Sequence, residues 1–129
     1  MISPTIFDHK SPEEQYSTMA ATDIFLTPHG AGMINIFFLL PHSYVIELNP
    51  PLWKFGCYRE ESKCSNVEHA FVQAKGNKVG KECEMYGMKD IRCHFAGIRD
   101  QNFYVDIPDA LDAVRIGIRS VKHKKYPQK

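Results

Sequence analysis

Two short stretches carry residues that could do chemistry. Pro28-His29-Gly30-Ala31-Gly32 follows the apolar run Asp23 to Thr27, and Glu47 stands inside a second apolar run, Tyr44 to Leu48, that stops at Asn49-Pro50-Pro51. A glycine-rich turn that enters a helix presents unpaired backbone amides and the positive end of the helix dipole, which suits a phosphate. Small residues at Gly30, Ala31 and Gly32 let a pyrophosphate approach the backbone closely. An acid at the end of the adjacent strand can accept both hydroxyls of a ribose. Together these describe a nucleoside-diphosphate site at the C-terminal edge of a parallel sheet, where open α/β sheets generally bind ligands.

Other uses of the same residues fit less of the chain. An oxyanion-hole loop of the α/β-hydrolase type needs a nucleophile in a Gly-x-Ser-x-Gly frame, and none of the seven serines has one. The dinucleotide fingerprint Gly-x-Gly-x-x-Gly is met at Gly30 and Gly32, but Asn35 takes the third place, although Glu47 stands where a ribose-binding acid would. Gly76 to Lys81 has the wrong spacing for a P-loop, and Glu82 occupies the magnesium-binding position. The plainest alternative is a tight turn with His29 as an ordinary loop residue and Glu47 in a surface salt bridge.

The elements that would position these residues are readable in order. Ser11-Pro12-Glu13-Glu14 starts a helix with a capping box and runs to about Ala21. Asp23 to Thr27 is of strand length, Pro28 to Gly32 is a turn, and Met33 to Leu40 is a short buried helix stopped by Pro41. Tyr44 to Leu48 and Val67 to Gln73 are strands on either side of a helix over Lys54 to Ser65, and Lys75 to Lys81 is a loop. Glu82 to Asp100 fits no single element. Asn102 to Asp106 reads as a last strand before a helix over Pro108 to Val121, with Leu111, Val114, Ile118 and Val121 on one face and Asp106 or Asp109 at its start. Alternating β and α elements imply an α/β fold, a single Rossmann-like domain spanning residues 1–129 with a mostly parallel sheet covered on both faces.

At 129 residues the chain holds one domain with a core. Sixteen basic residues against fifteen acidic ones give no electrostatic footprint for nucleic acid, and the only basic cluster, within residues 122–129, reads as a flexible tail. No apolar run is long enough to cross a bilayer. Met1 is followed by Ser3, Pro4, Asp8 and His9 rather than by basic and apolar signal-peptide regions, so neither signal peptide nor membrane anchor is expected. Cys57, Cys64, Cys83 and Cys93 form no Cys-x-x-Cys pair, which argues against structural zinc and leaves disulfides and buried free thiols both open.

The joint pattern EEQYSTMAATDIFLTPHGAGMINIFFLLPHSYVIELNPP resembles the core motif of glycosyltransferase family 61. The matching parts are Glu14-Gln15, the strand Asp23 to Thr27, His29 to Gly32, the apolar helix Met33 to Leu40, and Glu47-Leu48 before Pro50. NFYVDIPDALDAV resembles the closing strand and helix of that family, so the likeness covers residues 11 to 74 well and 102 to 121 loosely. Met33 stands where the family commonly has leucine, a volume-conserving change.

The resemblance implies the C-terminal, nucleotide-binding half of a GT-B-type inverting enzyme. Such an enzyme transfers xylose, N-acetylglucosamine or a similar sugar from a UDP-sugar to a hydroxyl of a protein or glycan in the ER or Golgi lumen. The absence of an Asp-x-Asp triplet agrees with a metal-independent, cofactor-free reaction in which dipole and basic side chains stabilise the leaving diphosphate. Carried onto this chain, Gly30, Ala31 and Gly32 supply amides to the diphosphate and Glu47 holds the ribose. His29 lies beside phosphate or sugar, or steadies the turn, and is only a weak candidate for the catalytic base, which the resemblance places in the missing half or in the cleft between domains. Relative to the family an N-terminal acceptor-binding domain is missing. The alternatives are a non-catalytic nucleotide-binding or interaction domain and an NAD-binding Rossmann domain.

Overall fold

The helix start read from Ser11 is present in full. In a computed structural model that describes residues 4–127, the Ser11 hydroxyl accepts from the Glu14 amide at 3.2 Å and the Glu14 carboxylate accepts from the Ser11 amide at 2.8 Å. This capping box opens α1, Pro12–Ala20. The chain then enters β1, Ile24–Pro28, and a 3₁₀ helix, Ala31–Phe38, before β2, Tyr44–Asn49. α2, Cys57–Cys64, leads to β3, Glu68–Gln73.

The three strands form an open parallel sheet in the order β1-β2-β3, a mixed α/β arrangement. Thr27 pairs with Glu47 across β1 and β2, and Val45 with His69 and Glu47 with Phe71 across β2 and β3. β2 is central and buried on both faces, which explains its near-continuous apolar sequence and makes Glu47 the exception in it.

The sheet is covered on both sides. On one face α1 and the 3₁₀ helix pack Met19, Met33, Ile36 and Leu39 against Val45 and Val67, with Tyr58 of α2 at the margin. Each of the fully buried side chains among these contributes on the order of 2 kcal/mol through removal from water. On the other face α4, Ile107–Lys125, lays Ala113 and Val121 over Tyr44, Ile46 and Val72. A third cluster joins Trp53 and Val79 to Cys83, Cys93 and Ile98. Its scaffold is α3, Lys81–Tyr86, and a π-helix, Cys93–Arg99, linked by a Cys83–Cys93 disulfide. Cys57 and Cys64 are free thiols.

Several expectations from sequence need correction. Asn102 to Asp106 forms no strand: Val105 packs against the α4 face, while Asp106 caps α4 and accepts an ion pair from Lys75 at 2.9 Å. The sheet among the described residues therefore has three strands. The buried residues of α4 are Ala113, Gly117 and Val121, with Leu111 and Ile118 substantially exposed, because the helix lies close enough to the sheet that small residues must face it. The basic segment 122–129 is not a tail over its first part. α4 continues to Lys125, where Lys124 pairs with Glu68 and Lys125 reaches Asp23 and Ser43 at 2.9 Å each. Residues 128–129 lie outside the described part. The apolar helix after the glycines begins at Ala31 rather than Met33 and is 3₁₀.

Candidate functional site

Side chains alternate along a strand, so the face of β2 that carries Val45 also carries Glu47 and Asn49. On β3 the same face carries His69, because Ala70 and Val72 belong to the α4 side. On β1 it carries Phe25 and Thr27, and the chain stays in register one step further, where the His29 amide donates to the Leu48 carbonyl at 2.9 Å. His69, Glu47 and His29 thus lie on a diagonal that crosses all three strands, each two residues nearer the C-terminal edge than the last.

Glu47 is 1% exposed and both of its oxygens are engaged. Oε1 meets His29 Nδ1 and Oε2 meets His69 Nε2, the latter at 2.8 Å. The two imidazoles are themselves almost fully enclosed. Burial pushes the Glu47 carboxyl up, but hydrogen bonds and charge from His29 and His69 outweigh it and hold the group below the usual glutamate value. An ionised carboxylate only accepts, so His29 Nδ1 and His69 Nε2 must both donate. In the neutral ring that leaves His29 Nε2 and His69 Nδ1 bare.

Aromatic side chains fix the His29 ring. Trp53, 3% exposed, lies 4.9 Å from it between ring centres and Tyr58 lies 5.3 Å away. Burial pushes the Tyr58 phenol up, which keeps it protonated near neutrality. Trp53 is delivered by the turn after β2, where its amide donates to the Pro50 carbonyl at 3.2 Å and the Gln73 side chain donates to the same oxygen. Beyond Trp53 the wall continues through Phe95 of the π-helix, whose ring is covered by the Arg99 guanidinium at 4.7 Å. Among the described residues, Trp53 Nε1 and Asn49 Oδ1 are buried without a hydrogen-bond partner.

The glycine turn sits directly beyond His29. The first hydrogen bond of the 3₁₀ helix runs from the Met33 amide to the Gly30 carbonyl at 3.0 Å, so the amides of Ala31 and Gly32 precede the ladder. Gly30 and Gly32 have open space where a side chain would stand, with no atom within 4 Å of an added Cβ. Ala31 is exposed, whereas Met33, Asn35 and Ile36 anchor the following turn in the core. The Asn35 amide group donates to the Gly32 carbonyl at 3.0 Å and ties the turn down from below.

The structure therefore brings His29, Gly30, Ala31, Gly32 and Glu47 to one place, with one difference from expectation. Glu47 does not offer its carboxylate to a ribose: it is sealed and already bound by two imidazoles. Sequence reasoning missed His69, Trp53 and Tyr58. The histidine at the second position of β3 was the available signal, since any histidine on that face falls near Glu47 once the strands are parallel. The two imidazole nitrogens address the carboxylate itself, and no group of three His, Cys, Asp or Glu side chains among the described residues is arranged to hold a metal ion. Comparison with family models, with characterised proteins and with solved structures finds no match for this chain.

Proposed function

We propose that this chain is the donor-binding part of an inverting, metal-independent glycosyltransferase similar to family 61, with a UDP-sugar as substrate and a hydroxyl of a protein or glycan as acceptor. The observation that carries this reading is the open turn Gly30-Ala31-Gly32, whose amides lie ahead of the helical ladder at the C-terminal end of a parallel strand. A diphosphate seated there takes charge-assisted hydrogen bonds from the amides. Those bonds strengthen as charge builds on the leaving group during transfer. The order of the elements, with parallel strands linked through helices, supports a Rossmann-like half of a GT-B enzyme.

The donor sugars in view are xylose and N-acetylglucosamine. The Cys83–Cys93 disulfide supports residence in an oxidising compartment such as the ER or Golgi lumen. No described helix is long and apolar enough to cross a membrane.

Isothermal titration with UDP tests the reading through one substitution. Gly30→Val adds a side chain to empty space on extended backbone, so the variant folds with an unchanged urea midpoint. Its side chain then covers the amides, and UDP affinity falls by at least tenfold. A Gly30→Val chain that binds UDP as the parent does, or a parent chain that binds NAD as well as UDP, contradicts the proposal.

A further inference from the structure

Glu47 has no access to a ligand, yet both of its oxygens are held by imidazoles. We propose that Glu47 is a positioning residue, locked from below by His69, that fixes His29 with its proton on Nδ1 and leaves Nε2 bare as the proton acceptor beside the glycine turn. The inference rests on the donor-site reading above and gives that site its base.

Two observations point to His29 rather than His69 as the working imidazole. His29 directly precedes the open turn, whereas His69 is paired with Val45, deeper along the sheet and away from its C-terminal edge. The His29 ring is packed against Trp53 and Tyr58 and bonded to Glu47, which together restrict its orientation. In both rings one nitrogen is bound to the acceptor-only carboxylate, which removes the alternative tautomer and leaves Nε2 as the bare nitrogen of His29.

The step balances without any further reagent. The acceptor oxygen forms a bond to C1 of the sugar as its hydroxyl proton passes to His29 Nε2. The bond from C1 to the β-phosphate oxygen breaks, and its electron pair leaves with UDP. The imidazolium formed is stabilised by the Glu47 carboxylate and returns its proton to solvent.

Long-range proton–nitrogen NMR on the histidine-labelled chain at pH 8, above the ordinary range of imidazole titration, tests this. Resonances are assigned from His29→Asn and His69→Asn. The expected result is a protonated Nδ1 and a pyridine-like Nε2 for His29, with the reverse for His69. Saturating UDP-xylose or UDP-N-acetylglucosamine then shifts the His29 Nε2 signal and leaves the His69 Nδ1 signal in place.

A His29 ring protonated at Nε2, or a Nε2 signal unmoved by bound donor, overturns the role of His29 and leaves nucleotide binding standing. Nucleotide binding is read separately from saturation transfer to UDP, and its absence overturns the donor-site reading and the base together. Glu47→Gln offers a second readout. Its amide nitrogen donates to one imidazole, so one of the two rings changes tautomer, and retention of both tautomers in a folded Glu47→Gln chain overturns the positioning role. If that variant does not fold, the parent chain alone decides.

Discussion

Glu47 is costly to bury and more costly to strip of its partners. Removing its side chain in Glu47→Ala leaves two imidazoles without their acceptor, and urea unfolding is expected to show a loss on the order of 3 kcal/mol. The pH dependence follows from the direction of its shift. The folded value lies below the ordinary one, so the group adds stability above about pH 4.3 and loses that contribution as pH falls through the folded value. The stability gap between the parent and Glu47→Gln should therefore shrink as pH falls below the ordinary glutamate value of about 4.3. A gap that widens on acidification would mean that Glu47 is not held as a carboxylate. Glu47 and His29 were both legible in the sequence, one as an acid inside an apolar run and the other through its glycines. The bond between them was not, because a register shared by three strands is a long-range property that no local motif encodes.

Among the elements, those with a local cause were legible and those with a tertiary cause were not. The capping box of α1, the strands on either side of α2 and the loop read over Lys75 to Lys81, which ends one residue earlier where α3 begins, all follow from residues within a few positions of each other. The π-helix Cys93–Arg99 depends on a disulfide and on packing under Trp53, so its own sequence carries no periodic signal. α4 shows how a correct helix can be given the wrong face. Period and size favour Leu111 and Ile118, but the side turned to the sheet is set by Gly117, where an added Cβ would come within 2.9 Å of the Tyr44 ring. Gly117→Val is accordingly expected to destabilise by about 2 kcal/mol in spite of the better helix propensity, through overpacking against a buried ring. An unchanged thermal midpoint would place α4 further from the sheet than described.

At the scale of the whole molecule, the site is a seam between two packed regions. The sheet and its helices hold His29, Glu47 and His69, while the cluster built on Cys83–Cys93 carries the far side of Trp53. The disulfide closes a short loop, for which the chain-entropy estimate is roughly 3 kcal/mol. Reduction should loosen α3 and the π-helix ahead of the sheet. Trp53 is the only tryptophan, so its emission reports this directly. A red shift under reducing agent with far-ultraviolet dichroism largely retained is expected, and a spectrum indifferent to reductant would show that the cluster holds without its bridge.

On the proposed function, the amides of the glycine turn bind a nucleoside diphosphate. The most direct test of this is a two-dimensional amide NMR titration of the labelled chain with UDP. Saturable shifts concentrated at Gly30, Ala31 and Gly32 are expected, with smaller ones at neighbours such as His29 and Met33. Saturable shifts elsewhere, for example along α4, or no shifts from a folded chain at millimolar UDP, would contradict it.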